Sequence, residues 1–243
     1  MQWSKPEIDS AQVKQLANRY GLDLITSSIL VRRGLSDPQS ILYLLEDDFR
    51  YLHNPFSLPA ITETVNRIIE AIEKGDRILV FGDRDVDGVT STALMVETLE
   101  TLGASVSWKI PESDDGYGLT SAVVEELRYL AINLLITVDC GITAITEIDS
   151  IQSYGIDVIV VDHHEPLDEI PDALIVNPKL HNSSYPFREL SACGVVWKLS
   201  WALRFALTDL FGETICLLNA RPLKDSIVIE AIKFFNYHQI LKV

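Results

Sequence analysis

The stretch from Arg77 to Ser91, RILVFGDRDVDGVTS, constrains this chain more than any other part of it. Ile78 to Phe81 is a continuous apolar run, partly β-branched, of the kind a strand buried on both faces requires. It stops at Gly82, and Asp83, Asp85 and Asp87 follow at alternate positions. From Ser91 to Leu99 the pattern is helical, so the three carboxylates are expected in a short strand-to-helix loop. Three negative charges this close repel one another unless a positive partner sits among them. A hard divalent cation, Mg²⁺, Mn²⁺ or Ca²⁺, suits oxygen ligands of this type. An EF-hand loop also opens D-x-D-x-D-G, but its twelfth position must be a bidentate Glu, and here it is Leu94 behind a strand. Neither G-x-G-x-x-G nor G-x-x-x-x-G-K is present, so dinucleotide and P-loop readings fail. A solvated acidic turn without a ligand is the remaining alternative for this stretch taken alone.

The rest of the middle segment argues against that alternative. Residues 78 to about 178 alternate strand and helix, which predicts an α/β protein with a parallel sheet flanked by helices. Further strands are expected at 105–110, 134–138, 156–161 and 174–178. Three of the apolar strands end in Asp83/Asp85/Asp87, in Asp139, and in Asp162-His163-His164. In an open α/β sheet the carboxyl ends of the strands lie on one edge, where ligands bind. Independent turns have no reason to place acid or imidazole at the same end of each strand. Adjacent histidines point differently along the backbone, so one of the pair is expected to be a direct metal ligand. The other then remains to donate to a phosphate.

Ahead of this segment, residues 8–75 read as helices joined by turns: 11–20, a short piece at 29–33, about 38–46, and a clean amphipathic helix at 61–74 closed by Gly75. The three cysteines, Cys140, Cys193 and Cys216, lack zinc spacing and are odd in number, which points to a reducing, cytoplasmic setting. The opening Met1-Gln2-Trp3-Ser4-Lys5-Pro6 lacks the form of a signal peptide, and no apolar run approaches the ~18 residues of a membrane span. A net charge of −15 discourages a nucleic-acid partner. Residues 81–180, however, carry 4 basic and 19 acidic groups and thus hold the whole surplus.

GDRDVDGVTSTAL, DDGYGL, ITVDCGI and VVDHH, in that order, resemble the DHH phosphoesterase superfamily and, within it, the RecJ-type single-strand-specific exonucleases. HNPFSLP ahead of them, and Asn177-Pro178 with Ser191 to Val195 behind, extend the likeness over residues ~25–205. The resemblance implies two divalent ions, Mn²⁺ or Mg²⁺, held by Asp83, Asp85, Asp87, Asp139 and His163, with Asp139 bridging. It implies that Asp162 orients the site from behind and that His164 contacts the scissile phosphate, His164 and Asp139 being the catalytic pair. Two such ions lower the pKa of a water and stabilise the entering and leaving oxygens of a phosphodiester. The implied activity is 5′→3′ degradation of single-stranded DNA in repair and recombination. Single-stranded DNA, with single-strand-binding or other repair proteins, would be the partners, and no membrane is involved. Relatives carry a further aspartate ligand after the Gly-Val segment; Asp209 and Asp225 are the nearest candidates here, neither in the family's context. A phosphodiesterase for short oligonucleotides or nucleotides, and a non-catalytic scaffold, are the competing functions.

The expected organisation is a helical segment at 1–75, a phosphoesterase domain at 76–205 and a helical tail at 206–243. An apolar helix is expected at 197–211, and the tail carries Ile229, Ile232, Phe234, Phe235 and Tyr237. So much apolar surface expects cover. The tail is therefore read as the start of a second lobe that the chain lacks, with metal binding kept and exonuclease activity low.

Overall fold

Short, largely apolar runs such as Ile78 to Phe81 and Val158 to Val161, separated by long crossover segments, satisfy their backbone groups by pairing in parallel with both faces covered. A computed structural model of the chain shows that arrangement. It describes residues 8–45, 52–111 and 118–208, together with the backbone of 215–223, 226–233 and 237–242. The chain divides into two compact units, residues 1–52 and 53–243.

The first unit holds α1 (Ser10–Tyr20), α2 (Leu24–Arg32) and α3 (Pro38–Leu45) around Leu16, Leu30 and Ile41. Asp9 caps α1, and Gly21 ends it in the left-handed region at φ 67°. The structure moves the start of α2 five residues ahead of the expected Ile29. Asp23 is the cap, accepting from the backbone N–H groups of Ile25 and Thr26, so Thr26-Ser27-Ser28 lies inside the helix.

In the second unit α4 (Ile61–Lys74) precedes a five-stranded parallel sheet: β1 (Arg77–Gly82), β2 (Ser105–Lys109), β3 (Leu134–Val138), β4 (Asp157–Val161) and β5 (Leu174–Val176). Their order is β2-β1-β3-β4-β5. Helices α5 (Val86–Thr101), α6 (Ser121–Leu127), α7 (Ile145–Ser153) and α8 (Ala192–Ala206) complete this layer. The direction of winding reverses after β2. One face of the sheet therefore packs on α4, α5 and α8 through Ile78, Val80, Ile136 and Val161, against Val65, Met95 and Leu199. The other face packs on α6 and α7 through Leu79, Phe81, Leu135 and Val160, against Val123, Leu127 and Ile148. The reversal leaves a crevice between the carboxyl ends of β1 and β3, where an open α/β sheet binds its ligand.

Two sequence expectations change at the carboxyl side. The apolar helix α8 starts at Ala192, capped by Ser191, and ends at Ala206. The expected helical tail is instead an antiparallel sheet of β6 (Ile215–Leu223), β7 (Ser226–Lys233) and β8 (Tyr237–Lys242), in the order β6-β7-β8. Ile227-Val228-Ile229 is β-branched throughout, and such side chains lose χ1 freedom in a helix while packing well on a pleated surface. Phe234, Phe235, Asp209 and Asp225 lie outside the described residues.

Candidate metal centre

Strand register builds the site. Gly82 pairs with Val138, Val138 with Val161, and Val161 with Val176. The next residue on each strand is Asp83, Asp139, Asp162 and Asn177, so four polar side chains form a row across the carboxyl edge of the sheet. The row continues the ladder: Asp139 N–H donates to the Val161 carbonyl at 3.0 Å and Asp162 N–H to the Val176 carbonyl at 3.1 Å. All four residues are buried.

The turn after β1 is tight because two glycines permit it. A methyl group at Gly88 would collide with the carbonyl of Asp83, and one at Gly82 with the hydroxyl of Thr92. The carboxylates consequently do not share one loop, as the sequence led one to expect. Asp85 is the N-cap of α5, accepting from Gly88 N–H at 3.0 Å, and Asp87 lies in the first turn of the helix. That hydrogen bond is the main reason the Asp85 carboxyl is held below the usual carboxylate range.

Asp139 is the focus of the cluster. It is a non-glycine residue at φ 60°, a left-handed conformation costing about 1–3 kcal/mol, which persists only where surrounding structure imposes it. Ligand atoms of Asp83, Asp85 and Asp139 lie within 4.8 Å of one another, and so do those of Asp139, His163 and His164. Asp139 belongs to both groups. Burial, followed by the charges of Asp87 and Asp85, pushes its carboxyl up to about 7. Asp83 Oδ1 and Asp139 Oδ1 are both buried without a hydrogen-bond partner. A buried acceptor left in that state is costly. Acidic oxygens with unused lone pairs, crowded enough to retain a proton near neutrality, form a donor set that fits hard divalent cations.

The histidines differ in their attachments. His163 Nδ1 lies 3.0 Å from the Leu190 carbonyl, which can only accept, so the proton is on Nδ1. Nε2 therefore faces the carboxylates, 3.2 Å from Asp139 Oδ1 and 3.7 Å from Asp87 Oδ2. A metal-binding imidazole is held in this way, with the second ring nitrogen donating to a carbonyl behind it. His164 Nδ1 donates instead to Asp162 Oδ1 at 2.7 Å, and its side chain is 45% exposed. This hydrogen bond raises the proton affinity of His164.

Asp162 supports the histidine segment and the turn after β3. Its Oδ1 accepts from the His163 and His164 backbone N–H groups and the His164 ring, and its Oδ2 from Ile142 N–H. Burial alone would push this carboxyl up, but the donors outweigh burial and hold it below the usual range. Asn177 was not singled out as a site residue from the sequence. It donates from Nδ2 to the His164 carbonyl at 3.0 Å and accepts at Oδ1 from Lys179 N–H at 2.8 Å, tying the histidine segment to the end of β5. The available signal was its place after a fourth apolar strand. Among the expected ligands, Asp87 is the one outside both donor groups. Its two carboxylate oxygens accept the backbone N–H groups of Ala192 and Cys193 at 2.9 and 2.8 Å.

Fold and site together define an α/β protein with an acid–histidine centre at the switch point of a parallel sheet. The N-terminal domain of the DHH family matches residues 77–216, and the chain belongs to that family. It is 37% identical over 211 residues to the single-stranded-DNA-specific exonuclease RecJ of Bacillus subtilis, covering 86% of this chain and 27% of that protein. It is 40% identical over 155 residues to the RecJ of Escherichia coli, covering 63% of this chain and 27% of the relative. The chain thus spans about a quarter of the length of these curated relatives. The crystal structure of exonuclease RecJ bound to manganese aligns with a TM-score of 0.58 at 39% identity, over 62% of this chain and 38% of that one. RecJ from Thermus thermophilus in complex with Mn²⁺ aligns with a TM-score of 0.61 at 31% identity, over 82% and 28%. The family and the parallel sheet expected from the motifs are borne out. Among the described residues, no helix is long and apolar enough to cross a membrane.

Proposed function

We propose that this chain carries the metal centre of a phosphodiester hydrolase, a single-strand-specific DNA exonuclease that works in repair and recombination. The observation behind this reading is the sharing of Asp139 between two groups of potential ligand atoms at the carboxyl edge of the sheet. Two ions placed by such groups would have one carboxylate in common. Asp83, Asp85, Asp87, Asp139 and His163 would hold Mn²⁺ or Mg²⁺, Asp87 lying 3.7 Å from His163 Nε2. Bound divalent ions polarise phosphoryl oxygens and lower the pKa of a water. The protein's part is to fix charge and protons around them. Asp162 keeps the His164 ring oriented through Nδ1. His164, oriented in this way and half-exposed, would donate from its other ring nitrogen to a non-bridging phosphate oxygen. Asp139, whose carboxyl is held up to about 7, would have to be ionised to hold a cation.

Single-stranded DNA is the proposed substrate, on the strength of the RecJ likeness. A cytoplasmic location and repair-protein partners, single-strand-binding proteins among them, belong to the same reading. The acidity of residues 81–180 favours a second substrate class, very short oligonucleotides or nucleotides, whose binding depends less on a basic surface. Strands of increasing length labelled at either end, incubated with Mn²⁺, separate the two. Release of mononucleotides from the 5′ end of long strands supports the first, and cleavage confined to di- and trinucleotides supports the second. No Mn²⁺ binding in calorimetry would sink both and leave a non-catalytic scaffold.

Proton competition at Asp139 gives a further expected result. The carboxyl is held up to about 7, so below that pH an entering ion must displace a proton. Mn²⁺ affinity should rise about tenfold per pH unit up to about pH 7 and level off above it. Calorimetry in buffers of different ionisation enthalpy checks this through the protons released. A pH-independent affinity between 5 and 7 would contradict it.

A further inference from the structure

Residues 81–180 contain four basic side chains, Arg84, Lys109, Arg128 and Lys179. Arg84 lies inside the acidic turn after β1, between Asp83 and Asp85. Lys109 pairs with Glu126 of α6, while Arg128 pairs with Glu125 and lies over the Tyr154 ring, so both serve the α6 and α7 side of the sheet. Lys179 is placed differently. It comes three residues after the end of β5, just past Asn177, the last member of the polar row. Asn177 Oδ1 accepts the Lys179 N–H at 2.8 Å, and Asn177 Nδ2 donates to the His164 carbonyl at 3.0 Å. One amide side chain therefore ties Lys179 to the histidine segment. Arg188 Nη2 donates to the Lys179 carbonyl at 2.6 Å and fixes the backbone a second time. The Lys179 side chain is only 15% exposed, which confines its stem, and its Nζ lies 3.3 Å from Oε1 of Glu165, the residue directly after His164.

Strand order gives this ammonium a meaning. The candidate ligands and His164 follow β1, β3 and β4, whereas Lys179 follows β5, two strand spacings or about 10 Å across the sheet from the strand that bears Asp139. A phosphate held by the ions and His164 at the middle of the edge leaves the next phosphate of the same strand over β5. We propose that Lys179 binds the phosphate beside the scissile one, with Glu165 occupying the ammonium until the nucleic-acid strand displaces it. The exchange costs little, because the Glu165 side chain is 74% exposed and solvent-facing ion pairs of this kind are weak. The substrate class that follows is a strand with at least two consecutive phosphates, favoured over a molecule with a single phosphodiester. A fixed cation at this position also gives an acidic segment one localised grip on the backbone of its substrate.

This inference deepens the nuclease reading and rests on it. Fluorescence anisotropy of an end-labelled oligothymidylate is followed with the full 243-residue chain over a series of salt concentrations, for the wild type, Lys179→Gln, Lys179→Arg and Glu165→Gln. Ca²⁺, a weaker Lewis acid that takes the same oxygen ligands, replaces Mn²⁺ in the titrations. Lys179→Gln should bind about tenfold more weakly, the loss expected of one charged hydrogen bond. Its plot of log affinity against log salt should be less steep by about 0.7, the value of one phosphate contact on a single strand. Lys179→Arg keeps the charge and should restore most of the slope, and Glu165→Gln, with the competing carboxylate gone, should bind more tightly than the wild type. A Lys179→Gln chain with the wild-type affinity and slope would overturn the inference. So would a weaker affinity at unchanged slope, since a residue that serves packing alone leaves the count of phosphate contacts as it was. A wild-type chain that binds no strand at any salt concentration would overturn the nucleic-acid reading along with this one.

Discussion

Asp139→Asn should abolish Mn²⁺ binding and metal-dependent hydrolysis while making the metal-free protein more stable at pH 8. The two effects have one origin. Asp139 is buried and is crowded by Asp87 and Asp85, so its proton affinity is raised to about 7. In that case the native state holds a proton that the unfolded chain has already lost. Stability contributed by this group is present at low pH and declines as pH rises from about 4 to about 7, beyond which the ionised carboxylate remains a cost. A neutral amide removes that cost. Asn is the suitable replacement because it tolerates the left-handed backbone at φ 60° better than most residues, so the turn itself is preserved. The amide also removes the charge that both groups of potential ligands depend on. Thermal unfolding without metal and calorimetry with it check the two halves separately. A variant that binds Mn²⁺ as the wild type does would remove Asp139 from the centre of the site.

His164→Ala should act in the opposite sense, with metal binding kept and turnover lost. The His164 ring is anchored by Asp162, which takes part in neither donor group. Loss of one preorganised donor to a developing phosphate charge costs about 100- to 1,000-fold in turnover, or roughly 2.7–4 kcal/mol. His164→Gln restores a donor on a side chain that Asp162 cannot orient in the same way and should recover only part of the rate. Mn²⁺ affinity falling in parallel with turnover in both variants would reassign His164 to the ions, an assignment its ligand atom's proximity to Asp139 and His163 allows geometrically. Single-turnover rates at saturating Mn²⁺ separate the two outcomes.

Much of this arrangement could be read from the chain because its signals are local. Ile78 to Phe81, Leu134 to Val138 and Val158 to Val161 are apolar runs that announce buried strands, and an acid close behind each run marks a shared edge. The helix at Ile61–Lys74 was legible for the same reason, from a clean period and a closing Gly75 at φ 70°. What stayed hidden depends on partners far along the chain. Nothing near Asp87 reveals that its carboxylate turns to residues 192 and 193, since that choice is made by the packing of α5 on α8. Asn177 likewise becomes informative only when Val176 is seen in register with Val161. The Asp23 cap is masked in the sequence because Thr26-Ser27-Ser28, equally good capping residues, follow it closely. The carboxyl-terminal strands were hidden by an apolar pattern that strand and helix can both satisfy until β-branching is weighed.

The row running from Asp83 through Asp139 and Asp162 to Asn177 has a consequence for how the protein matures. Each member arrives on a different strand, so no single strand–helix–strand piece contains the site. Cations can recognise the chain only after β1, β3 and β4 have docked in register, which makes their binding a late checkpoint. Ions that select this state and ignore the unfolded chain stabilise the fold by mass action, by about 2.7 kcal/mol at a hundredfold excess over the dissociation constant. A one-residue slip of β3 would turn Asp139 to the opposite face of the sheet and discard that stabilisation entirely.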